Sequence, residues 1–189
     1  MTGGALHPPD PPLSDGTVTL RPFTDADVEQ ITASCQDPEI QRFIPVPRPY
    51  QRADAEAYVR RTERQWAEGT KAAFAIIDAT DPEMLLGAIN VAINGAVGNS
   101  GYWVAPWARG RGIAGRALRL LTDWAFASVG LGVILLEIRP ENAASIAVAT
   151  RCGYHRAGEI DINVETGERN GLIFSRLASD LAGSGDGPV

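Results

Sequence analysis

Cysteine is nearly absent. The 189 residues hold two, Cys35 and Cys152, which lie far apart, form no Cys-x-x-Cys pair and have no histidine at ligand spacing. That argues against a disulfide framework and a zinc site, and it fits a reducing cytoplasm. Histidine is as scarce: His7 sits in a proline-rich N-terminal stretch and His155 follows a Gly-Tyr corner, so neither is a useful general base. Long apolar runs are missing too. Nothing approaches the roughly 18 to 20 residues of a membrane span, and the first residues have neither the basic nor the apolar part of a signal peptide. The expectation is a soluble cytoplasmic protein. Lysine occurs once, at Lys71, while arginine makes up the other sixteen of the 17 basic residues. Against them stand 23 acidic residues, and the net charge of −6 has the wrong sign for general attraction to nucleic acid or an anionic membrane. No internal repeat is visible.

What is present suits one domain of ordinary size, since a chain of this length with 44% apolar residues can bury a core unaided. Residues 1–16 and 182–189 are rich in proline, glycine and small polar residues without an apolar face, and are expected as disordered tails around a domain at 17–181. Residues 17–20 read as a strand, and Thr24-Asp25-Ala26-Asp27 as the capped start of a helix with Val28 and Ile31 on one face. After a proline-rich stretch at 45–49, Ala55, Tyr58, Val59, Thr62 and Trp66 keep helical spacing. Residues 73–78, 85–93 and 100–104 then form an antiparallel meander, with a Gly/Asn-rich loop before the third strand. Ile113, Ala117, Leu120, Leu121, Trp124 and Ala125 mark a helix running to about Val129. Residues 133–138 read as a strand covered on both faces, 144–152 as a helix stopped by Gly153, and 159–164 and 172–177 as closing strands.

The chemistry concentrates in Arg109-Gly110-Arg111-Gly112-Ile113-Ala114-Gly115, between a strand and the long amphipathic helix. Glycines let backbone approach an anion closely, the first N–H groups of the helix are unpaired, and its dipole favours negative charge. Four arginines, Arg109, Arg111, Arg116 and Arg119, crowd the same region of an acidic chain, which suggests a small anionic ligand carrying phosphate. The plain structural reading is a glycine turn with solvated arginines. Taken literally, Gly110-x-Gly112-x-x-Gly115 also matches a dinucleotide fingerprint, with Glu137 about 20 residues beyond it. Against that reading, residues 105–109 separate the strand from the first glycine, and the upstream meander is not built of βαβ units.

In this order and spacing the motifs resemble the GNAT superfamily of acyl-CoA-dependent N-acyltransferases, and within it the ribosomal-protein N-terminal acetyltransferase (RimJ/RimL-type) branch. Arg109-x-x-Gly112-x-Ala114 carries the resemblance, with Leu20-Arg21-Pro22-Phe23, Asp37-Pro38-Glu39-Ile40, Gly101-Tyr102-Trp103-Val104, Pro140-Glu141-Asn142-Ala143-Ala144-Ser145 and Gly153-Tyr154. The resemblance implies an α+β single-domain GNAT fold: a mixed, mostly antiparallel sheet splayed at its centre, with flanking helices. It implies acetyl-CoA as acyl donor and a primary amine as acceptor, a protein N-terminus or a small molecule, with no metal. The coenzyme would meet Trp103, Val104, Arg109, Gly110, Arg111, Gly112, Ile113, Ala114, Gly115, Asn142 and Ser145.

For the reaction, a proton must leave an ammonium, an oxyanion must be stabilised and a thiolate must be protonated. The resemblance points to backbone N–H near Val104 for the oxyanion. The tyrosine acid common in the superfamily would fall at Ala149, so Ser145 is the candidate acid. Glu137 is the candidate base; it also reads as a solvated strand end, and a water held by backbone carbonyls is an alternative. Phe43, Tyr50 and Trp103 are expected to wall the acceptor side, although Trp103 equally fits ordinary packing. Two rival functions stay open: a non-catalytic acyl-CoA-binding regulator, suggested by the missing tyrosine, and an NAD-binding protein. Whether the chain forms a homodimer is not set by the sequence.

Overall fold

The computed structural model describes residues 5–162 and 169–182. The chain opens with a two-residue strand β1 (Leu13–Ser14) and β2 (Val18–Arg21), joined by a turn in which the Asp15 carboxylate accepts from the N–H groups of Thr17 and Val18, both at 2.9 Å. Here the expectation of a loose tail over 1–16 is corrected for the described residues. Leu13 pairs with Leu20, the N–H of Leu6 donates to the Trp66 carbonyl at 3.1 Å, and Asp15 is fastened to Arg116 at 2.7 Å. Proline and glycine removed the periodic face from this segment without removing its anchors.

The capped start at Thr24 forms as expected. The Asp27 carboxylate accepts from the Thr24 N–H at 2.8 Å and grips Arg21 through two contacts of 2.8 Å while almost fully buried. Helix α1 (Val28–Ser34) follows. A helix the sequence reading did not separate comes next, α2 (Pro38–Phe43), with Asp37 as its N-cap accepting from the N–H groups of Glu39 and Ile40 and with proline in its first turn. Helix α3 (Arg52–Ala67) then leads into the meander β3 (Lys71–Asp78), β4 (Leu85–Asn94) and β5 (Val97–Val104). The loop expected before β5 is a tight turn at Gly95, whose φ of +61° suits glycine, so Gly98 and Asn99 lie inside the strand. Helix α4 (Ile113–Trp124) continues as one wider, π-type turn over Ala125–Val129. The chain closes with β6 (Val133–Ile138), α5 (Ala143–Arg151), β7 (His155–Ile162), β8 (Arg169–Leu177) and α6 (Ser179–Ala182). The strand expected over 159–164 starts earlier, at His155, and its last two residues lie outside the described residues, as do 183–189 of the expected C-terminal tail.

The eight strands form one sheet in the order β1-β2-β3-β4-β5-β6-β8-β7, antiparallel throughout except for β5 beside β6. This is the mixed, single-domain α+β architecture expected above, and its order excludes the doubly wound parallel sheet of the dinucleotide reading. Period-two alternation places the core on both faces of β3. Phe74 and Ile76 join Trp66, Trp124, Leu118 and Leu121 under α4, while Ala73, Ala75 and Ile77 join Ile31, Val59 and Tyr50 under α1 and α3. The rings of Trp66, Phe74 and Trp124 meet at centroid distances of 5.1, 5.3 and 6.0 Å. Strand β6 corrects another expectation: Ile134, Leu136 and Ile138 are buried while Glu137 is exposed, so the strand alternates and is not covered on both faces.

Candidate active site

The parallel pairing of β5 with β6 runs from Val97↔Val133 to Ser100↔Leu136 and stops there, so residues 101–104 diverge from their neighbour. Ser100, at the last paired rung, has a buried hydroxyl without a hydrogen-bond partner among the described residues. A cavity of about 430 Å³ occupies the fork, within the size range of small-molecule sites. Its walls are Tyr102, Trp103 and Val104 of β5, Asn142, Ala144, Ser145, Ala147, Val148 and Arg151 at α5, and Glu39, Ile40, Phe43 and Ile44 at α2. The loop before α4 and its first turn supply the rest, with Ala108, Arg109, Gly110, Gly112, Ile113, Ala114 and Gly115.

The loop into α4 is held from β4. The Ala105 N–H donates to the Leu86 carbonyl at 2.9 Å and the Trp107 indole donates to the Leu85 carbonyl at 2.8 Å. Gly110 and Gly112 both have φ of +75°, and Gly112 is the N-cap of α4. The first α4 turn closes with Arg116 N–H donating to the Gly112 carbonyl at 3.2 Å, so the N–H groups of residues 113–115 precede the first helical bond. These backbone donors and the helix dipole are what the loop offers an anion.

The arginines behave otherwise than their clustering suggests. Arg109 is held by Asp37 at 2.6 Å and by Glu39 at 3.3 Å, Arg111 pairs with Asp78 at 3.1 Å, and Arg116 pairs with Asp15. The Arg109 hydrogen bond draws the Asp37 carboxyl below its ordinary value, and Asp37 in turn raises the guanidinium. Arg111, expected as a coenzyme contact, is exposed and does not line the cavity.

Asn142 is both a cavity residue and the N-cap of α5, its side-chain oxygen accepting from the Ser145 N–H at 3.0 Å. Ser145 Oγ lies 2.8 Å from the Tyr102 hydroxyl, which also reaches the Ser145 carbonyl at 3.3 Å. Burial pushes the Tyr102 phenol up to about 12 despite the Ser145 bond. Sequence reasoning quoted Tyr102 only as part of a motif and gave it no role. Ala149 is fully buried, and the Tyr154 hydroxyl is 2.7 Å from Thr122 in the core. Cys152 is buried and its thiol is pushed up by desolvation, in keeping with a packing role.

Glu137 and Tyr50 fall elsewhere. Tyr50 is buried in the cluster under α1 and α3, where its apolar ring is taken up by packing with Ile31 and Val59, and it is not among the cavity residues. Glu137 lines a second cavity of about 640 Å³ with Gln41, Arg42, Arg48, Arg139 and Asn170. Phe43 and Ile44 line both cavities and form the partition between them. The carboxylate at the fork itself is Glu39, which the sequence reading did not single out as a candidate. Among the described residues no cluster of metal-ligating side chains occurs, and no helix is long and apolar enough to cross a membrane.

The family model for the acetyltransferase (GNAT) domain matches residues 17–155. Probable N-acetyltransferase YjcK of Bacillus subtilis (strain 168) is 32% identical over 96 residues, covering 49% of this chain and 52% of that protein. The chain thus spans about half the length of the curated relative it matches. Among solved structures, Mycobacterium smegmatis RimJ in complex with CoA-disulfide superposes with a TM-score of 0.77 at 23% identity, over 87% of this chain and 83% of that one. Spermidine N-acetyltransferase from Vibrio cholerae, in complex with CoA and spermine, gives 0.72 at 20% identity over 87% and 98%. At such identities these likenesses establish the shared fold.

Proposed function

Because the chain belongs to the acetyltransferase (GNAT) family, we propose that it is a cytoplasmic N-acetyltransferase that moves an acetyl group from acetyl-CoA to a primary amine by direct attack in a ternary complex. The observation that carries this reading is the cavity in the β5–β6 fork, with the unpaired N–H groups of α4 at one end and the Tyr102–Ser145 hydroxyls within. The solved relatives support it: one holds a coenzyme A disulfide, another coenzyme A and spermine. The acceptor is a protein N-terminal α-amine, as in the RimJ/RimL-type branch, or a small-molecule amine.

The residues present fit the coenzyme. A Cβ at Gly110 or Gly112 would meet nothing within 4 Å, which leaves the loop backbone open to a bulky anion. The N–H groups of residues 113–115 hold the pyrophosphate, while Arg109 stays committed to Asp37 and braces the loop. Asn142 donates its side-chain N–H to the pantetheine arm, with its oxygen retained as the α5 cap. Bound there, acetyl-CoA supplies an activated acyl group. Trp103 and Val104 position its carbonyl, and backbone N–H near Val104 meets the oxygen that gains charge during attack. Ser145 delivers a proton to the departing sulfur. Phe43 and Trp103 shape the acceptor entry. Glu137, in the adjoining cavity behind Phe43, takes the proton of the incoming ammonium through water.

Titration calorimetry with acetyl-CoA, coenzyme A and NAD in one buffer tests the reading. Both coenzyme A species are expected to bind and NAD is not. Binding of neither coenzyme A species would remove the basis for the whole assignment. Release of free thiol from acetyl-CoA in the presence of an amine panel then separates an enzyme from a non-catalytic acyl-CoA binder.

A further inference from the structure

Tyr102 and Ser145 come from opposite sides of the fork. Tyr102 stands on the part of β5 that has left β6, and Ser145 on the first turn of α5, where the Asn142 cap fixes its backbone. Their hydroxyl oxygens are 2.8 Å apart, both residues are half-buried, and both line the same cavity. With Ala149 and the core-bound Tyr154 unable to serve, these are the two hydroxyl-bearing side chains among the cavity residues.

We propose that Tyr102 is a positioning residue that orients Ser145 and replenishes its proton, so that the pair acts as one acid toward the sulfur of coenzyme A. This rests on the acetyltransferase reading given above. As the carbon–sulfur bond breaks, its electron pair goes to sulfur, the Ser145 proton passes to that sulfur, and the Tyr102 proton passes to Ser145 Oγ. The phenolate left behind is reprotonated from water. The arrangement answers a specific difficulty. An isolated serine would end as an alkoxide, whereas a phenol, even one pushed up by burial to about 12 as Tyr102 is, is a stronger acid than an aliphatic hydroxyl and takes the negative charge more readily. The 2.8 Å contact lets the charge end on the phenol. The phenol carries a single proton: turned to Ser145 Oγ at 2.8 Å it serves the relay, and the Ser145 carbonyl at 3.3 Å is the more distant, competing acceptor.

The test reads the thiol of bound coenzyme A, which requires no knowledge of the acceptor. Thiolate absorbance of the complex, less that of protein alone, gives the pKa of the bound thiol in the parent protein, Tyr102→Phe, Ser145→Ala and the double variant. Hydroxyl donors aimed at sulfur favour the thiolate. The parent complex is therefore expected to titrate about one unit, or tenfold, below either single variant, with the double variant no further displaced. Ser145→Thr, which keeps the hydroxyl, is expected to restore the parent value. Coenzyme A affinity should change less than about threefold, and with any amine that supports turnover kcat of Tyr102→Phe should fall at least tenfold at near-constant KM for acetyl-CoA. A thiol pKa identical in parent and Tyr102→Phe overturns the relay alone, and so does a loss confined to coenzyme A affinity, which marks a purely structural strut. Failure of the parent protein to bind coenzyme A removes the acetyltransferase reading and the relay with it.

Discussion

A methyl group at position 87 would lie 2.3 Å from the Trp103 carbonyl oxygen and 3.1 Å from the Val104 Cα, both backbone atoms that cannot swing aside. Gly87→Ala must therefore displace the strand segment that walls the fork. Overpacking of this kind costs roughly 1–3 kcal/mol. Scanning calorimetry should show a melting point lower by several degrees, at about 2–4 °C per kcal/mol for a chain of this size, and coenzyme A should bind more weakly because Trp103 and Val104 move together. At this scale the sequence was legible where a residue's role is local. The loop glycines and the Asn142 cap with Ser145 three residues on are signatures of backbone geometry, and the structure places them at the cavity. It was illegible where the role is made by a distant partner. Tyr102 meets Ser145 across 43 positions, and Arg109 meets Asp37 across 72. Nothing in the spacing of either segment announces those meetings.

Helix α2 shows the same rule for elements. Six residues are too few for a periodic apolar face, so the spacing assigned the segment to no element, although Asp37 followed by Pro38 and Glu39 is a helix start in its own right. What gives α2 its place is a double use of Asp37, which caps the helix and holds Arg109 of the loop before α4. The partition residue Phe43 is thereby tied to the loop before α4. Asp37→Asn keeps a capping oxygen and removes the charge, so its effect isolates the ion pair. Since the folded-state pKa of Asp37 is lowered, the pair stabilises the protein fully above the ordinary carboxylate value near 3.9 and is lost as pH falls through the lower folded value. In urea melts the variant should be weaker than the parent at pH 7, by at most about 1 kcal/mol for so exposed a pair, and the gap should close in acid.

For the whole molecule, periodicity made the meander, the switch to helical period at Ile113 and the strand at 133–138 legible, because alternation and amphipathicity are set by neighbours a few positions apart, while the α+β assembly of these elements came from the family resemblance. The pairing of β5 with β6, the parallel contact that opens the fork, came from the family resemblance and not from periodicity. One prediction belongs at this scale. A ligand spanning α4, β5 and α5 should stabilise the single domain as a unit, so coenzyme A at about 100 times its Kd should add about 2.7 kcal/mol and raise the melting point by roughly 5–10 °C, with NAD producing no shift.

The lone lysine has a consequence of its own. Lys71 opens β3, is half-buried, and has its pKa lowered by burial. A member of the acetyltransferase (GNAT) family, proposed above to acylate amines, thus carries a single side-chain amine in this sequence, packed at the start of a central strand. Any lysine-borne self-acylation has one address, and amine-reactive tags or cross-linkers will report on that position, the N-terminal α-amine or bound acceptors rather than on a scatter of surface sites.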